Sequence, residues 1–297
     1  MSDTLRAAFW MTGSIVFFSA MAVAGREVRV DHDTFELMLY RSLVGVVIVV
    51  SVMFATGRSA EIRTGKPGLH GLRNLAHFTG QNLWFYALPL IPLAQAFALE
   101  FTAPLWALVF APLVLREAIT PIRVLAASIG FLGILVLTRP FAEPLTVGVL
   151  AAGVAAVFFG FTALFTRRLT RSESLIGIMF WLTTMQAAFG LIGAGYDGEI
   201  ALPTAFSAPL LVLIGISGLV AHFCLTAALR LAPATVVMPI DFTRLPLIAL
   251  VGWAFYGEQL DWVFAVGALL ILAGNIINLT AGTGRAWLRV AQDPGRK

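Results

Sequence analysis

The sequence contains little charge. Only 12% of its 297 residues are Asp, Glu, Lys or Arg, whereas 59% are hydrophobic. A soluble domain carries roughly 25% charged residues, so this composition excludes an ordinary soluble protein. The hydrophobic residues come in runs of about 18–24, the length that crosses a hydrocarbon core roughly 30 Å thick. The predicted fold class is therefore an all-α integral membrane protein.

Cysteine and catalytic motifs are also scarce. Cys224 is the single cysteine, which excludes an intramolecular disulfide and a cysteine-based metal cluster. The sequence lacks the G-x-S-x-G, H-E-x-x-H, Walker and Gly-rich dinucleotide motifs. We therefore predict no catalytic site, no metal, no cofactor and no ATP-driven transport. The net charge of +4 comes from short loops and the C-terminus, which indicates membrane topology and no nucleic-acid partner.

Ten transmembrane helices account for the hydrophobic runs. Turn residues separate them, as at the Thr120-Pro121 pair, where threonine caps a helix that begins with proline. The predicted helices span about 7–25, 34–56, 69–88, 92–115, 121–138, 145–166, 174–194, 208–229, 234–256 and 260–280.

A shift of 141 positions maps the second half of the sequence onto the first. It matches prolines, acids and threonines alike: Pro92 with Pro233, Glu100 with Asp241, Phe101 with Phe242, Thr102 with Thr243, and Glu117 with Glu258. We predict two five-helix repeats, residues 7–138 and 145–280, followed by a cytoplasmic tail, residues 281–297. An odd number of crossings makes the repeats inverted, and such repeats place a binding site near the membrane midplane.

The first hydrophobic run imitates a secretory signal peptide. Arg6 precedes it, and Ala22-Val23-Ala24 provides a small-residue cleavage pattern. The repeat shift, however, matches its Val-Phe-Phe at 16–18 with Val-Phe-Phe at 157–159, inside a later helix. We therefore expect the first helix to be retained.

Lys and Arg are unevenly distributed between the loops. With the N-terminus inside, fifteen of the twenty, Arg73 included, lie in inner loops or termini and three in outer loops. The other two, Arg41 and Arg244, lie within spans. Because inner loops carry the excess of positive charge, we predict that both termini are cytoplasmic.

Two acids stand inside hydrophobic runs at matching repeat positions, Glu100 and Asp241. An ionisable group at the bilayer centre costs roughly 2.5–3.5 kcal/mol on insertion scales, which makes it a functional hypothesis by default. Arg244 follows Asp241 by three residues and can pair with it, whereas Glu100 has no charged neighbour in sequence. These charges, with Arg41, either bind a polar or zwitterionic solute or hold the bundle together. Glu100 is the group we expect to meet the solute or a proton.

Prolines flank both acids. Pro104 has no N–H, so the carbonyl of Glu100 loses its usual helical partner. Pro239 and Pro246 have the same effect around Asp241. The helices are predicted to bend or break there, either to line a cavity or to pack.

The third helix carries a polar stripe of Asn74, His77, Gln81 and Trp84 on one narrow arc. His222 takes the shifted position of Gln81. A polar stripe in a membrane helix faces the bundle interior or water, so it either lines a solute path or bonds neighbouring helices. The two histidines are candidates for a proton relay.

Tryptophans and glycines complete the pattern. The deep tryptophans, which can stack on a flat solute, are Trp84, Trp106, Trp181 and Trp253. Small residues on helices five and ten permit close helix contact, and these are Gly130, Gly133, Gly267 and Gly274. Because those helices lack buried charge, they are expected to be scaffold or homodimer surfaces.

The pattern resembles the EamA family of ten-helix carriers in the drug/metabolite transporter superfamily. The similar segments are Leu115-Arg116-Glu117-Ala118-Ile119-Thr120 and Tyr256-Gly257-Glu258-Gln259-Leu260, each followed by the glycines above. The resemblance implies a multi-pass carrier of a bacterial-type inner (plasma) membrane that works by alternating access. It implies a central cavity lined by both repeats, with helices five and ten at the periphery. Members of that family move amino-acid-like, vitamin-like, nucleotide-like or toxic organic solutes.

We therefore predict a secondary transporter for a small polar or amphiphilic metabolite, working in the export direction. Its partners are the solute and the lipid bilayer; proton coupling and a homodimer are left open. The candidate binding residues are Arg41, His77, Gln81, Trp84, Glu100, Trp106, His222, Asp241 and Arg244. The alternative is a membrane-embedded enzyme that uses Glu100 or His77 as an acid or base.

Overall fold

Helices form all the regular structure that can be described. The computed structural model describes residues 3–29, 31–115, 120–138, 145–170, 172–231, 240–241 and 243–292, and these ranges contain no β-strand. A short 3-10 turn covers Ser59–Ile62. The α-helices are α1 (Asp3–Val28), α2 (Thr34–Ala55), α3 (Pro67–Ala87), α4 (Leu93–Glu100), α5 (Ala103–Leu115), α6 (Pro121–Thr138), α7 (Val147–Leu169), α8 (Leu175–Ala194), α9 (Ser207–Leu231), α10 (Arg244–Tyr256) and α11 (Trp262–Gln292).

Several helices are long and apolar enough to cross a membrane. Among the described residues, six segments meet both criteria: Leu5–Val28, Thr34–Ala55, Leu93–Val114, Val147–Leu169, Leu175–Ala194 and Ser207–Ala228. Val124–Val136, Arg244–Tyr256 and Trp262–Ile277 are shorter apolar helices. Each segment overlaps a predicted transmembrane helix, which confirms the fold class as an all-α integral membrane protein.

The helices pair in a way that reflects the repeat. Helix α1 packs along α9, and α3 packs along α7; α2 packs along α8, and α6 along α11. Under the 141-position shift α1 corresponds to α7, and α3 to α9. Exchanging the two halves therefore converts the first pair into the second and maps the other two pairs onto themselves. This is the pairing expected for two repeats related by a twofold axis.

Three predicted helices differ from the structure by more than a few residues at their ends. The predicted fourth helix is two helices, α4 and α5, interrupted at Phe101 and Thr102. The predicted ninth helix is interrupted in the same way, since Thr243 is a turn residue before α10. The last helix continues to Gln292, beyond the predicted end at 280, because no proline interrupts the sequence before Pro294. Glu117, Pro233, Pro239 and Phe242, used above to define the repeat and its bends, lie outside the described residues.

Glycines allow α6 and α11 to approach closely, as predicted. A Cβ atom added at Gly274 would lie 2.6 Å from the Ala126 carbonyl oxygen and 2.8 Å from the Gly130 nitrogen. One added at Gly133 would lie 2.8 Å from the Gly267 carbonyl oxygen. These glycine faces thus pack against each other within one chain, while a homodimer remains a prediction.

Gly274→Ala should destabilise the protein by about 1–3 kcal/mol, because the new methyl group meets backbone atoms that cannot move aside. Gly153→Ala is the matched control, since nothing lies within 4 Å of a Cβ added there. Thermal unfolding in detergent measures the difference, with a thiol-reactive dye that labels the buried Cys224 on unfolding. Equal unfolding temperatures for the two variants would contradict the close packing of α6 on α11.

Candidate functional site

The two repeats have matching helix breaks at their centres. In the first, the Thr102 N–H and hydroxyl both donate to the Leu99 carbonyl, at 3.0 and 2.6 Å. In the second, the Thr243 N–H and hydroxyl both donate to the Ile240 carbonyl, at 3.1 and 2.7 Å. The shift of 141 maps each threonine and each carbonyl onto the other. The breaks place Glu100 and Asp241 at the ends of broken helices.

Arg244 joins the two repeats. Its Nη2 donates to Glu100 Oε1 at 3.1 Å and to Asp241 Oδ2 at 3.2 Å. The pairing with Asp241 confirms the prediction from their three-residue spacing. Glu100 has no charged neighbour in sequence, and its partner in the structure lies 144 positions away. At the position matching Arg244 the first repeat has Ala103, so one guanidinium serves both acids.

These three charges differ in exposure. The side chain of Arg244 is 5% exposed and that of Asp241 is 9% exposed, whereas Glu100 is 18% exposed. Glu100 is therefore the most accessible of the three, as predicted, although it is paired. Two carboxylates against one guanidinium leave the group one negative charge in excess when both acids are ionised.

Aromatic rings surround the Arg244 guanidinium. Its Cζ lies 4.9 Å from the centre of the Phe18 ring, 5.0 Å from Phe97 and 5.1 Å from Phe101. A cation is attracted to the face of such a ring within about 6 Å. The rings thus stabilise the charge in an environment from which water is largely excluded, and Phe18 brings α1 into the site.

A second polar group surrounds Arg41. Its Nη1 donates to Gln81 Oε1 and contacts Met38 Sδ at 3.5 Å. Arg41 also lines a cavity with other side chains from α2, α8 and α9, among them Ser42, Thr183, Gln186 and His222. The sequence predicted that Arg41, Gln81 and His222 belong to the site, and the structure brings these three together.

His77 and His222 meet between the repeats. Their ring centres are 5.5 Å apart. Within the described chain, neither ring nitrogen of His77 has a hydrogen-bond partner, and nor does His222 Nε2. Phe159 lies against His77 and Phe18 against His222, and these two phenylalanines are equivalent under the 141-position shift. The contact leaves donor and acceptor positions free for a proton or solute, but the relay itself stays a prediction.

Arg73 is a buried residue that the sequence interpretation missed. It was assigned to an inner loop, yet it lies within α3, is 3% exposed, and donates to Thr166 Oγ1 and Asn74 Oδ1 at 3.1 and 2.8 Å. The predicted helix 69–88 already contained Arg73, and Pro67 at the first turn of α3 was a further signal that Arg73 lies well inside the helix. Asn74 in turn donates to the Trp181 carbonyl at 3.1 Å.

The two polar groups are connected through aromatic rings. Phe18 touches both Arg244 and His222, while Phe97 touches Arg244 and the buried Trp84. Eight of the nine predicted site residues therefore lie in one connected region that both repeats build. The region comprises Arg41, His77, Gln81, Trp84, Glu100, His222, Asp241 and Arg244.

Trp106 lies in a different aromatic group. Its ring packs on Phe131 of α6, with centres 4.7 Å apart, and stacks with Phe110. Trp253 is 63% exposed on the surface of the bundle, and Trp181 donates to the Ile62 carbonyl at 3.0 Å. The idea that these three tryptophans stack on the solute thus receives no support from their contacts.

Asn275 stabilises the break between α4 and α5, a role that sequence reasoning missed. This fully buried side chain on α11 donates to the Phe101 carbonyl at 2.6 Å. A buried carbonyl left without a partner at this depth is costly. An amide in a mostly apolar run was the signal that could have identified it.

Asn275→Ala should lower the free energy of unfolding by about 1–3 kcal/mol, because it leaves the Phe101 carbonyl buried and unbonded. Asn82→Ala is the matched control, since Asn82 donates to Phe78, a carbonyl of its own helix four residues back. Thermal unfolding of both variants checks this. If Asn82→Ala proves as costly as Asn275→Ala, the special role of Asn275 is wrong.

A separate charged cluster ties helix ends together at one end of the bundle. Both carboxylate oxygens of Glu258 accept from the Leu93 N–H at the start of α4, at 3.0 and 2.9 Å, and Glu258 also pairs with Arg26 on α1. Tyr256 donates to Glu27 at 2.6 Å and packs under Arg26. Gly257, with φ of 62°, turns the chain so that Glu258 reaches back. We call Arg26, Glu27, Tyr256 and Glu258 the end clamp.

The described residues contain no group of three or more His, Cys, Asp or Glu side chains that could hold a metal ion. The chemistry available in the site is hydrogen bonding, ion pairing and aromatic stacking.

Sequence comparison identifies the family. The profile of the EamA-like transporter family matches residues 5–139 and, a second time, residues 146–280. The chain belongs to the EamA-like transporter family. The double match confirms the family predicted from the repeat and agrees with a two-repeat architecture. It also identifies the protein as a membrane solute transporter and not an enzyme.

Several curated relatives of this EamA-like transporter are named as transporters. A riboflavin transporter of Brucella anthropi is 29% identical and covers 84% of this chain and 88% of its own length. A riboflavin transporter of Rhizobium johnstonii is 32% identical over 73% and 72%. An S-adenosylmethionine uptake transporter of Rickettsia bellii is 26% identical over 90% and 91%. A solved crystal structure, 21% identical, has the same fold, with a TM-score of 0.63 over 92% of this chain and 96% of its own.

Proposed function

We propose that this EamA-like transporter is a secondary carrier that moves a small amphiphilic metabolite through its centre by alternating access. The metabolite carries a flat ring system and polar groups, as riboflavin and S-adenosylmethionine do. The observation that supports this is Arg244, which bonds Glu100 of one repeat and Asp241 of the other at matched helix breaks. A charged group shared between two repeats changes its geometry whenever the repeats move relative to each other.

The lining of the central region suits such a solute. Rings of Phe18 and Phe97 lie beside Arg244, and Trp84 packs on Phe97. Planar rings stack favourably on aromatic faces. The histidine pair and the Arg41 cavity supply hydrogen-bonding groups nearby. The relatives named for riboflavin and S-adenosylmethionine support the same class of solute for this chain.

Transport by purified protein in liposomes tests the proposal. We expect saturable accumulation of radiolabelled riboflavin or S-adenosylmethionine without ATP, and faster accumulation when the lumen holds the unlabelled solute. Mass spectrometry should recover the solute unchanged. The carrier proposal is wrong if neither solute enters the liposomes and no metabolite in a broad panel is exchanged across the membrane.

Direction and coupling are part of the same assay. Export is the predicted direction, whereas the Rickettsia bellii relative is named for uptake. Gradients of solute imposed in each direction distinguish the two. A gradient of pH tests proton coupling. We propose that the protein lies in a bacterial inner membrane with both termini in the cytoplasm.

A further inference from the structure

Arg41 differs from Arg244 in having no acidic partner. Among the described residues, no carboxylate forms an ion pair with Arg41. Its side chain bonds the neutral Gln81 and Met38, and the ring of Phe85 lies 6.0 Å from its Cζ. Arg73, on the neighbouring helix α3, is likewise bonded to neutral groups, Thr166 and Asn74. A positive charge inside a membrane protein is usually paired or serves a function.

The side chains around Arg41 line a small polar cavity. Hydroxyl groups of Ser42 and Thr183, the amide of Gln186 and the ring of His222 line it together with Arg41. Gly218 makes room for the guanidinium, because a Cβ added there would lie 2.8 Å from Nη2 of Arg41. Under the 141-position shift Gly218 corresponds to His77 in the first repeat, so the two repeats differ at this position.

We propose that Arg41 binds an anionic group of the transported solute, a carboxylate or a phosphate, within this cavity. This inference rests on the proposed carrier function and adds a chemical requirement to it. An arginine presents a planar set of N–H donors that match carboxylate and phosphate oxygens. The Arg244 group, which has two acids of its own, cannot supply that attraction. The region built by both repeats thus presents a positive charge at Arg41 and, around Arg244, an excess negative charge from Glu100 and Asp241.

Anion binding to the full-length protein in detergent provides the first test. Sodium phosphate and sodium acetate, compared with sodium chloride at equal ionic strength, should raise the unfolding temperature by a few degrees, because a ligand that binds the native state stabilises it. Arg41→Gln should lose this shift, and Arg41→Lys should keep part of it. The relative size of the two shifts distinguishes phosphate from carboxylate.

Two further variants keep the test decisive. Arg58→Gln removes an exposed arginine that pairs with Glu61, and it should leave the anion shift intact. Gly218→Ala keeps the charge of Arg41 but displaces its guanidinium, so it should weaken the shift even if Arg41→Gln fails to fold. The proposal is overturned if wild-type protein shows no shift beyond that in chloride, or if a folded Arg41→Gln or Gly218→Ala variant keeps the full shift.

Transport of matched solutes provides the second test. Riboflavin 5′-phosphate should compete for transport better than riboflavin, or S-adenosylmethionine better than its decarboxylated analogue. Arg41→Gln should abolish that preference. If solutes with and without the anionic group move equally well and Arg41→Gln slows both equally, the carrier function stands and the role of Arg41 is wrong. If wild-type protein moves none of the four, the carrier proposal fails for this class, and the anion shift still decides the role of Arg41.

Discussion

Arg244→Gln should abolish transport and destabilise the protein by about 3–5 kcal/mol. This is the usual cost of removing one partner from a buried ion pair, because the remaining charge stays buried without compensation. Here two carboxylates, Glu100 and Asp241, would be left facing each other. Solute exchange in liposomes and thermal unfolding in detergent measure the two effects. We expect Arg244→Lys to recover stability better than transport, since a single ammonium cannot reproduce the geometry of the guanidinium.

A neutral triple variant separates stability from transport. Glu100→Gln, Asp241→Asn and Arg244→Gln together remove all three charges while keeping hydrogen-bonding side chains. We expect this variant to unfold close to the wild-type temperature yet to remain inactive. Near-normal transport by either Arg244→Gln or the triple variant would show that the three charges are structural only. Arg58→Gln, at an exposed site outside the bundle, is the arginine control for both measurements.

Glu258→Gln should open the end of the bundle that the end clamp closes. The carboxylate of Glu258 bonds the Leu93 N–H and pairs with Arg26, so it ties α4 to the end of α1. Hydrogen bonds to charged groups contribute roughly 1.5–3 kcal/mol, and losing one should raise the population of the open state about tenfold or more. We expect solute transport to become slower or leaky, because the closed form of this end is no longer favoured over the open form.

A single introduced cysteine reports on that opening. In a Cys224→Ala background the chain has no other cysteine, and Ser42→Cys places a thiol in the central cavity. An impermeant maleimide added from the Glu258 side should label it faster in Glu258→Gln than in the parent. Glu199→Gln, which changes an exposed acid, is the control. Equal labelling rates in Glu258→Gln and its parent would rule out a closing role for the clamp.

Much of the fold could be predicted from the sequence, because the membrane restricts what a hydrophobic run can do. The helix 121–138 was predicted with its observed bounds, and Thr34 and Ala194 were predicted as helix ends. A bend or break beside Glu100 was predicted from Pro104, but its position at Phe101 and Thr102 was not. Proline indicates that one hydrogen bond is lost, but only the tertiary contact from Asn275 shows how the freed carbonyl of Phe101 is satisfied.

Most residues of the site could be predicted from the sequence, but which of them pair could not. Buried charges and a polar stripe stand out against apolar neighbours, so Arg244 and His77 could be selected from composition and spacing alone. The partner of Glu100 could not, because it lies on the other repeat and no local pattern records a contact across 144 positions. Phe18 was missed for a different reason: an aromatic residue in an apolar helix gives no sign that its ring faces a cation.

The exchange of the α1–α9 and α3–α7 pairs has a consequence for the working cycle. In the alternating access proposed above, each half takes the backbone of the other, and no helix changes its main packing partner. Threading residues of the first repeat onto the second, and the reverse, with the 141-position register therefore gives a backbone for the proposed state that faces the opposite side of the bilayer. Distances that differ between that backbone and the present structure specify where spin labels or fluorophores should be attached to follow the transition.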